Sequence, residues 1–180
     1  MALPTIRIRT RLDEGPLADL YGEREPFHFA APPRGPLRSV SVFANEDGPH
    51  WHYVAFGLEE RFGFELSFRL AASSVDDVAD APDWPVSLLH RLARHAIRTE
   101  RPLGSGQYIC FEEPVDPERE VRCFAVVEDP QLACPYLQAV GLREDELARM
   151  SEDGYERFLC ALRERGPLLV TEPRRPPLER

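Results

Sequence analysis

The chain has 180 residues, 43% of them hydrophobic, enough for one core of ordinary domain size without a metal or disulfide staple. Its 22 basic residues, all arginine, face 31 acidic ones, and the formal net charge is −9. That balance argues against a nucleic-acid surface, no apolar run is long enough to cross a bilayer, and the start (MALPTIRIRTRLDEG) has no apolar signal-like region, so a cytoplasmic protein is expected.

Taken in chain order, residues 5–10 (TIRIRT) alternate apolar and charged and read as a strand. Strands are also expected at 39–43, 51–57 and 62–70, with the charged Leu58-Glu59-Glu60-Arg61 between the last two. In 62–70, Phe64, Leu66, Phe68 and Leu70 share one face, and Glu65, Ser67 and Arg69 the other. A helix is expected over 84–99, capped by Asp83, with Pro85 tolerated in its first turn. Val86, Leu88, Leu89, Leu92, Ala93, Ala96 and Ile97 form its inward face, and Arg91, Arg94 and Arg98 point away. Further strands follow at 108–111, 121–127 and 136–140, then helices at 143–150 and 153–165 with Gly166 after the second, and a last strand at 168–171. This order predicts one α+β domain: a central mixed, mostly antiparallel sheet flanked by helices. Residues 1–17 are expected to be an N-terminal extension, 18–172 the domain, and 173–180 a loose Pro/Arg-rich tail.

The four cysteines, at 110, 123, 134 and 160, fit no zinc spacing and read as free thiols of a reducing compartment. His50-x-His52 would place two imidazoles on one strand face, with Glu65 as a third ligand, and a metal-dependent enzyme is one reading; hydrogen-bonded core histidines are the commoner outcome. Glu128 and Asp129 close an apolar strand and read as turn formers before Pro130. G-x-S-x-G, G-x-G-x-x-G, Walker A and H-E-x-x-H motifs are missing, and without lysine there is no Schiff-base chemistry. Neither a catalytic set nor a cofactor or bound metal is expected. Residues 41–137 carry 8 arginines against 17 acids. Within them the acidic run from Glu112 and Glu113 through Asp116 to Glu120 reads as a solvated loop or a docking surface for a basic partner.

From His50 onward the chain resembles the Suppressor of fused family. The resemblance is carried by HWHYVAFGLEE (50–60) and GFELSFRL (63–70), including His50, Trp51, His52, Tyr53, Gly57, Gly63, Glu65 and Phe68. It continues through Asp83-Trp84-Pro85, Leu92-Ala93-Arg94, Ser105-Gly106, Val127-Glu128-Asp129-Pro130-Gln131 and Leu137-Gln138-x-Val140-Gly141 to residues 144–147 and 168–171. Weaker similarity at 21–26 and Gly35-Pro36-Leu37 extends it to about 18–175.

The resemblance implies an α+β domain that binds protein and performs no catalysis. Animal members hold zinc-finger transcription factors of the Hedgehog pathway in the cytoplasm, clamping an extended peptide between this domain and a second one, for which the present chain is too short. The animal contact tyrosine after L-A-R corresponds to His95, the aspartate after S-G to Gln107, and a Trp-Leu pair to about Ala30 and Ala31. A single domain of this composition resembles a bacterial-type member, and the resemblance then implies an immunity or inhibitor protein that sequesters a partner such as a basic toxin. The alternative is an intracellular regulator or scaffold that binds an extended peptide at a sheet edge. Either way the expected partner is another protein, with His95, Gln107, Tyr108, Glu112, Glu113 and Asp116 as candidate contacts.

Overall fold

A computed structural model describes residues 15–22, 24–30, 32, 34–115, 121–132, 134–173 and 175. The expected strand at 5–10 and the candidate contact Asp116 lie outside these residues. The elements run α1 (Pro16–Tyr21), β1 (Phe27–Ala30), β2 (Ser39–Asn45), β3 (His50–Phe56), α2 (Glu59–Phe62) and β4 (Glu65–Ala71). After a 3-10 turn (Val78–Asp80) come α3 (Trp84–Thr99), β5 (Tyr108–Cys110), β6 (Cys123–Glu128), β7 (Tyr136–Leu142), α4 (Glu144–Asp153) and α5 (Tyr155–Arg165).

The seven strands form one mixed sheet in the order β1-β2-β3-β4-β7-β6-β5. Only β4 and β7 pair in parallel; every other neighbour is antiparallel. The protein is therefore α+β with a mixed, mostly antiparallel sheet, as its element order implies.

Period-two alternation sends the two sides of each strand to different layers. Trp51, Tyr53, Leu66, Phe68, Phe124 and Val126 pack against α3. Leu88, Leu89 and Leu92 on that helix are fully buried, each contributing about 2 kcal/mol of transfer free energy. On the opposite side, Ala125, Val127, Val140 and Leu142 pack under α4 and α5, and Phe43 and Val54 pack under α1. Between these two apolar clusters runs a strip of buried polar residues from β3, β4 and β7: His50, His52, Ser67, Arg69 and Gln138.

Several expectations change. Most of the 58–61 segment read as a charged spacer joins Phe62 in the short helix α2 (Glu59–Phe62), so β4 starts at Glu65 and not at 62. The turn is closed by Gly63 in the left-handed region (φ 77°). Asp83 precedes α3 but its side chain makes no capping bond. Gly166 follows α5 in an extended conformation, not a left-handed cap. Residues 168–171 do not form a full strand; Thr171 makes one parallel bridge to Leu70. A Cβ on Gly141 would lie 2.6 Å from the Thr171 methyl carbon, so glycine there lets this segment cross β7 closely. Arg175, within the stretch expected to be loose, is 3% exposed and anchored by Glu146 at 2.5 Å and the Gly141 carbonyl at 2.9 Å.

Candidate functional site

Two places gather the residues singled out in the sequence: the buried polar strip and a surface groove beside β5.

The strip centres on Arg69 and Asp129, neither exposed at its side chain. Arg69 Nη1 donates to Asp129 Oδ2 at 2.8 Å and Nη2 to Oδ1 at 3.0 Å. The guanidinium also reaches Gln138 and, at 3.1 Å, Gln131. Asp129 accepts from the Ser67 hydroxyl and from the backbone N–H groups of Gln131 and Leu132, both at 2.9 Å. The turn-forming role read for Asp129 thus holds, joined to an ion pair across the sheet. Burial alone would raise the Asp129 carboxyl; hydrogen bonds and charge from His52 and Arg69 outweigh it and hold the group well below the usual carboxylate range.

His52 completes the network. Its Nε2 lies 3.4 Å from Asp129 Oδ2, and its Nδ1 meets the Tyr21 hydroxyl. Burial pushes Tyr21 up to about 12, so its phenol keeps its proton and donates to Nδ1. The histidine proton then belongs on Nε2, facing Asp129. Burial, with the Arg69 charge, holds His52 at about 4. His50 is buried as well and contacts the Gly48 carbonyl through Nδ1 at 2.7 Å.

This arrangement sets a pH dependence. In the unfolded chain His52 takes a proton near 6.5, while in the folded chain it resists until about 4. The unfolded state therefore binds the proton first, and the stability present above pH 6.5 is lost as pH falls toward 4. From about pH 7 to about pH 5 the unfolding free energy is expected to drop by about 2 kcal/mol from this residue alone. Denaturant titrations across that range check it, and His52→Gln should flatten the slope there.

The metal reading of His50, His52 and Glu65 is overturned. Register places His52 opposite Arg69, four residues beyond Glu65 along β4, or about 13 Å away. Glu65 is committed elsewhere: its carboxylate accepts from the backbone N–H groups of Gly57, Leu58 and Glu59 at 2.9–3.3 Å, holding the start of α2. Burial pushes that carboxyl up despite the three donors. Among the described residues no group of three or more His, Cys, Asp or Glu is placed to hold a metal ion.

The second site is a groove of about 870 Å³ between α3 and the end of β5. It brings together His95, Glu112 and Glu113 from the candidate contacts and adds Arg91, Arg94 and Arg98. Arg91 lies over the Phe111 ring at 4.2 Å and donates to the Glu113 carbonyl at 3.4 Å. Gln107 and Tyr108 precede the groove on the open side of the sheet, both exposed. Tyr108, 54% exposed, is the large hydrophobic side chain left in solvent among the described residues. β5 ends the sheet. The Gln107 carbonyl accepts from Val126 and the Phe111 N–H donates to Arg122, so odd-numbered residues face β6. The main-chain groups of Tyr108 and Cys110 therefore face the open edge.

The free-thiol reading is corrected here. Cys110 and Cys123 are directly opposed across β5 and β6 and form a disulfide, while Cys134 and Cys160 are free and exposed. The two cysteines lie 13 positions apart in sequence, and only the hairpin register shows that they meet. The pattern of α3 shows only that the three arginines point away from its apolar face; nothing in the helix alone shows that Phe111 and the β5 end come to lie against them.

Residues 34–176 match the family described as Suppressor of fused protein (SUFU). The chain belongs to the Suppressor of fused family. The human and mouse proteins described as Suppressor of fused homolog are each 30% identical over 176 residues, covering 78% of this chain and 36% of the relative. The chain thus spans about a third of the length of these curated relatives. Among solved structures, one described as the Sufu-Fu complex superposes with a TM-score of 0.75 at 27% identity, covering 90% of this chain and 88% of that one. Drosophila Suppressor of Fused gives 0.73 at 27% identity over 87% and 48%. A SUFU homolog from Neisseria gonorrhoeae gives 0.70 over 92% and 93%; at 14% identity it shows the shared fold alone.

Proposed function

We propose that this chain is a non-enzymatic protein-binding domain that holds a partner polypeptide along the open edge of β5. The observation that carries this reading is the edge itself: outward-facing main-chain groups at Tyr108 and Cys110, the exposed Tyr108 side chain, and a groove beside them. A solved relative described as a complex with Fu supports a protein partner. His52 and Asp129, whose acidities are strongly shifted, are buried 3.4 Å from one another inside the sheet, which favours a structural role over catalysis. A cytoplasmic location belongs to the proposal, where the Cys110–Cys123 disulfide would be open to reduction.

The second reading is an inhibitor or immunity protein for a basic toxin, favoured by the net charge of −9. The partner that co-purifies from the native host at low and moderate salt separates the two. Tyr108→Pro removes an outward N–H without touching the ladder to β6. It is expected to weaken that partner at least about tenfold, with the far-ultraviolet dichroism unchanged. A strongly basic partner indifferent to Tyr108→Pro but lost with Glu112→Arg would favour the second reading.

A further inference from the structure

The net charge of the chain and the charge of its groove have opposite signs. Residues 41–137 carry a large acidic excess. Yet the α3 wall of the groove presents Arg91, Arg94 and Arg98 with His95, and no acidic side chain. The two carboxylates that line the groove, Glu112 and Glu113, follow β5 at the end occupied by Arg91. Arg91 is engaged with Phe111 and Glu113. Arg94 and Arg98 are exposed, and neither makes an ion pair with a described residue.

We propose that the α3–β5 groove takes an extended acidic segment of a partner polypeptide, its carboxylates set against Arg94 and Arg98. This rests on the reading of β5 as the docking edge and adds the chemistry of what docks there. The spacing fits: residues four apart on a helix are about 6 Å apart along its axis, and alternate residues of an extended strand about 6.6 Å. A strand laid along β5 with acidic side chains at every second position meets both arginines from one face. Its other face meets Tyr108 and solvent, so an apolar residue near one end adds contact area. Arginine suits this role because its planar fork binds a carboxylate through two donors. Acidic Glu112 and Glu113 at one end set direction, because they repel a carboxylate placed beyond Arg91 and favour acidic residues at the Arg98 end.

Fluorescence anisotropy with three labelled peptides of roughly one strand's length tests this. One alternates threonine with glutamate, one threonine with glutamine, and one threonine with lysine. The glutamate peptide is expected to bind about tenfold more tightly than the glutamine peptide at low ionic strength. The gap should close to within about threefold at high salt. Arg94→Glu with Arg98→Glu, both exposed and so compatible with folding, should abolish the preference and turn it toward the lysine peptide. Equal binding of the glutamate and glutamine peptides, with both lost on Tyr108→Pro, would overturn the acidic-segment inference and leave the docking edge standing. Binding of the lysine peptide alone would overturn it in favour of the basic-partner reading. No measurable binding of any peptide would overturn edge and charge together.

Discussion

Asp129→Ala is expected to lower the unfolding free energy by about 3–5 kcal/mol. Arg69 would be left with its guanidinium fully buried and its main counter-ion gone. Gln138 and Gln131 supply only neutral oxygens to it. Ser67 and the backbone N–H groups of Gln131 and Leu132 would lose their acceptor at the same time. Against a typical total of about 5–15 kcal/mol, such a loss takes much of the protein's margin. A urea titration reads it as a shift in midpoint at similar slope. Arg69→Met combined with Asp129→Leu removes both charges together and should cost less than Asp129→Ala alone. A double variant as unstable as the single one would show that packing around the pair, not the unpaired charge, governs the cost.

Reduction of Cys110–Cys123 is expected to cost roughly 3 kcal/mol, the loop-closure value for a link of about this span. The effect should concentrate on β5. That strand has three residues, pairs on one side only and closes the sheet. The Ile109 amide, which faces Phe124 on β6, should exchange with solvent much faster after reduction, while amides of β3 and β4 change little. Because Cys110 also lines the groove, partner affinity should fall in parallel. Unchanged exchange at Ile109 with full loss of stability would place the effect of the bond outside β5.

Much of the fold is legible in local pattern. The helix over Trp84–Thr99 follows from Leu88, Leu92 and Ala96 at helical spacing, and its observed bounds agree. β3 and β4 follow from alternating aromatic residues, and the sidedness read for 62–70 holds: Leu66, Phe68 and Leu70 enter one core while Ser67 and Arg69 face the other side. What local pattern misses is short. α1 has six residues and β1 four, too few for a period to show. α2 is a single turn held by Glu65, a residue outside it.

The sites divide in the same way. Asp129 as a turn former, and His50 and His52 as core histidines, can be read from a strand end and a strand face. That Arg69 is the partner of Asp129, 60 residues away in sequence, depends on β4 lying beside β7 in parallel register and on β6, which Asp129 follows, pairing with β7 on its other side. A one-residue slip would turn Arg69 to the α3 face.

The amino-acid sequence by itself determined an α+β chain, acidic in total and without lysine, because composition and short-range periodicity are summed along the chain, while its ordered motifs carried the resemblance to the Suppressor of fused family. Tertiary structure alone decided which cysteines pair, which carboxylate neutralises Arg69, and that the groove beside β5 is lined by arginines within an acidic protein. Those are matters of register and of which helix face meets which strand end. Net charge adds over every residue, whereas the field in a groove comes from the few side chains that the packing of α3 against β5 brings within a few ångströms of each other.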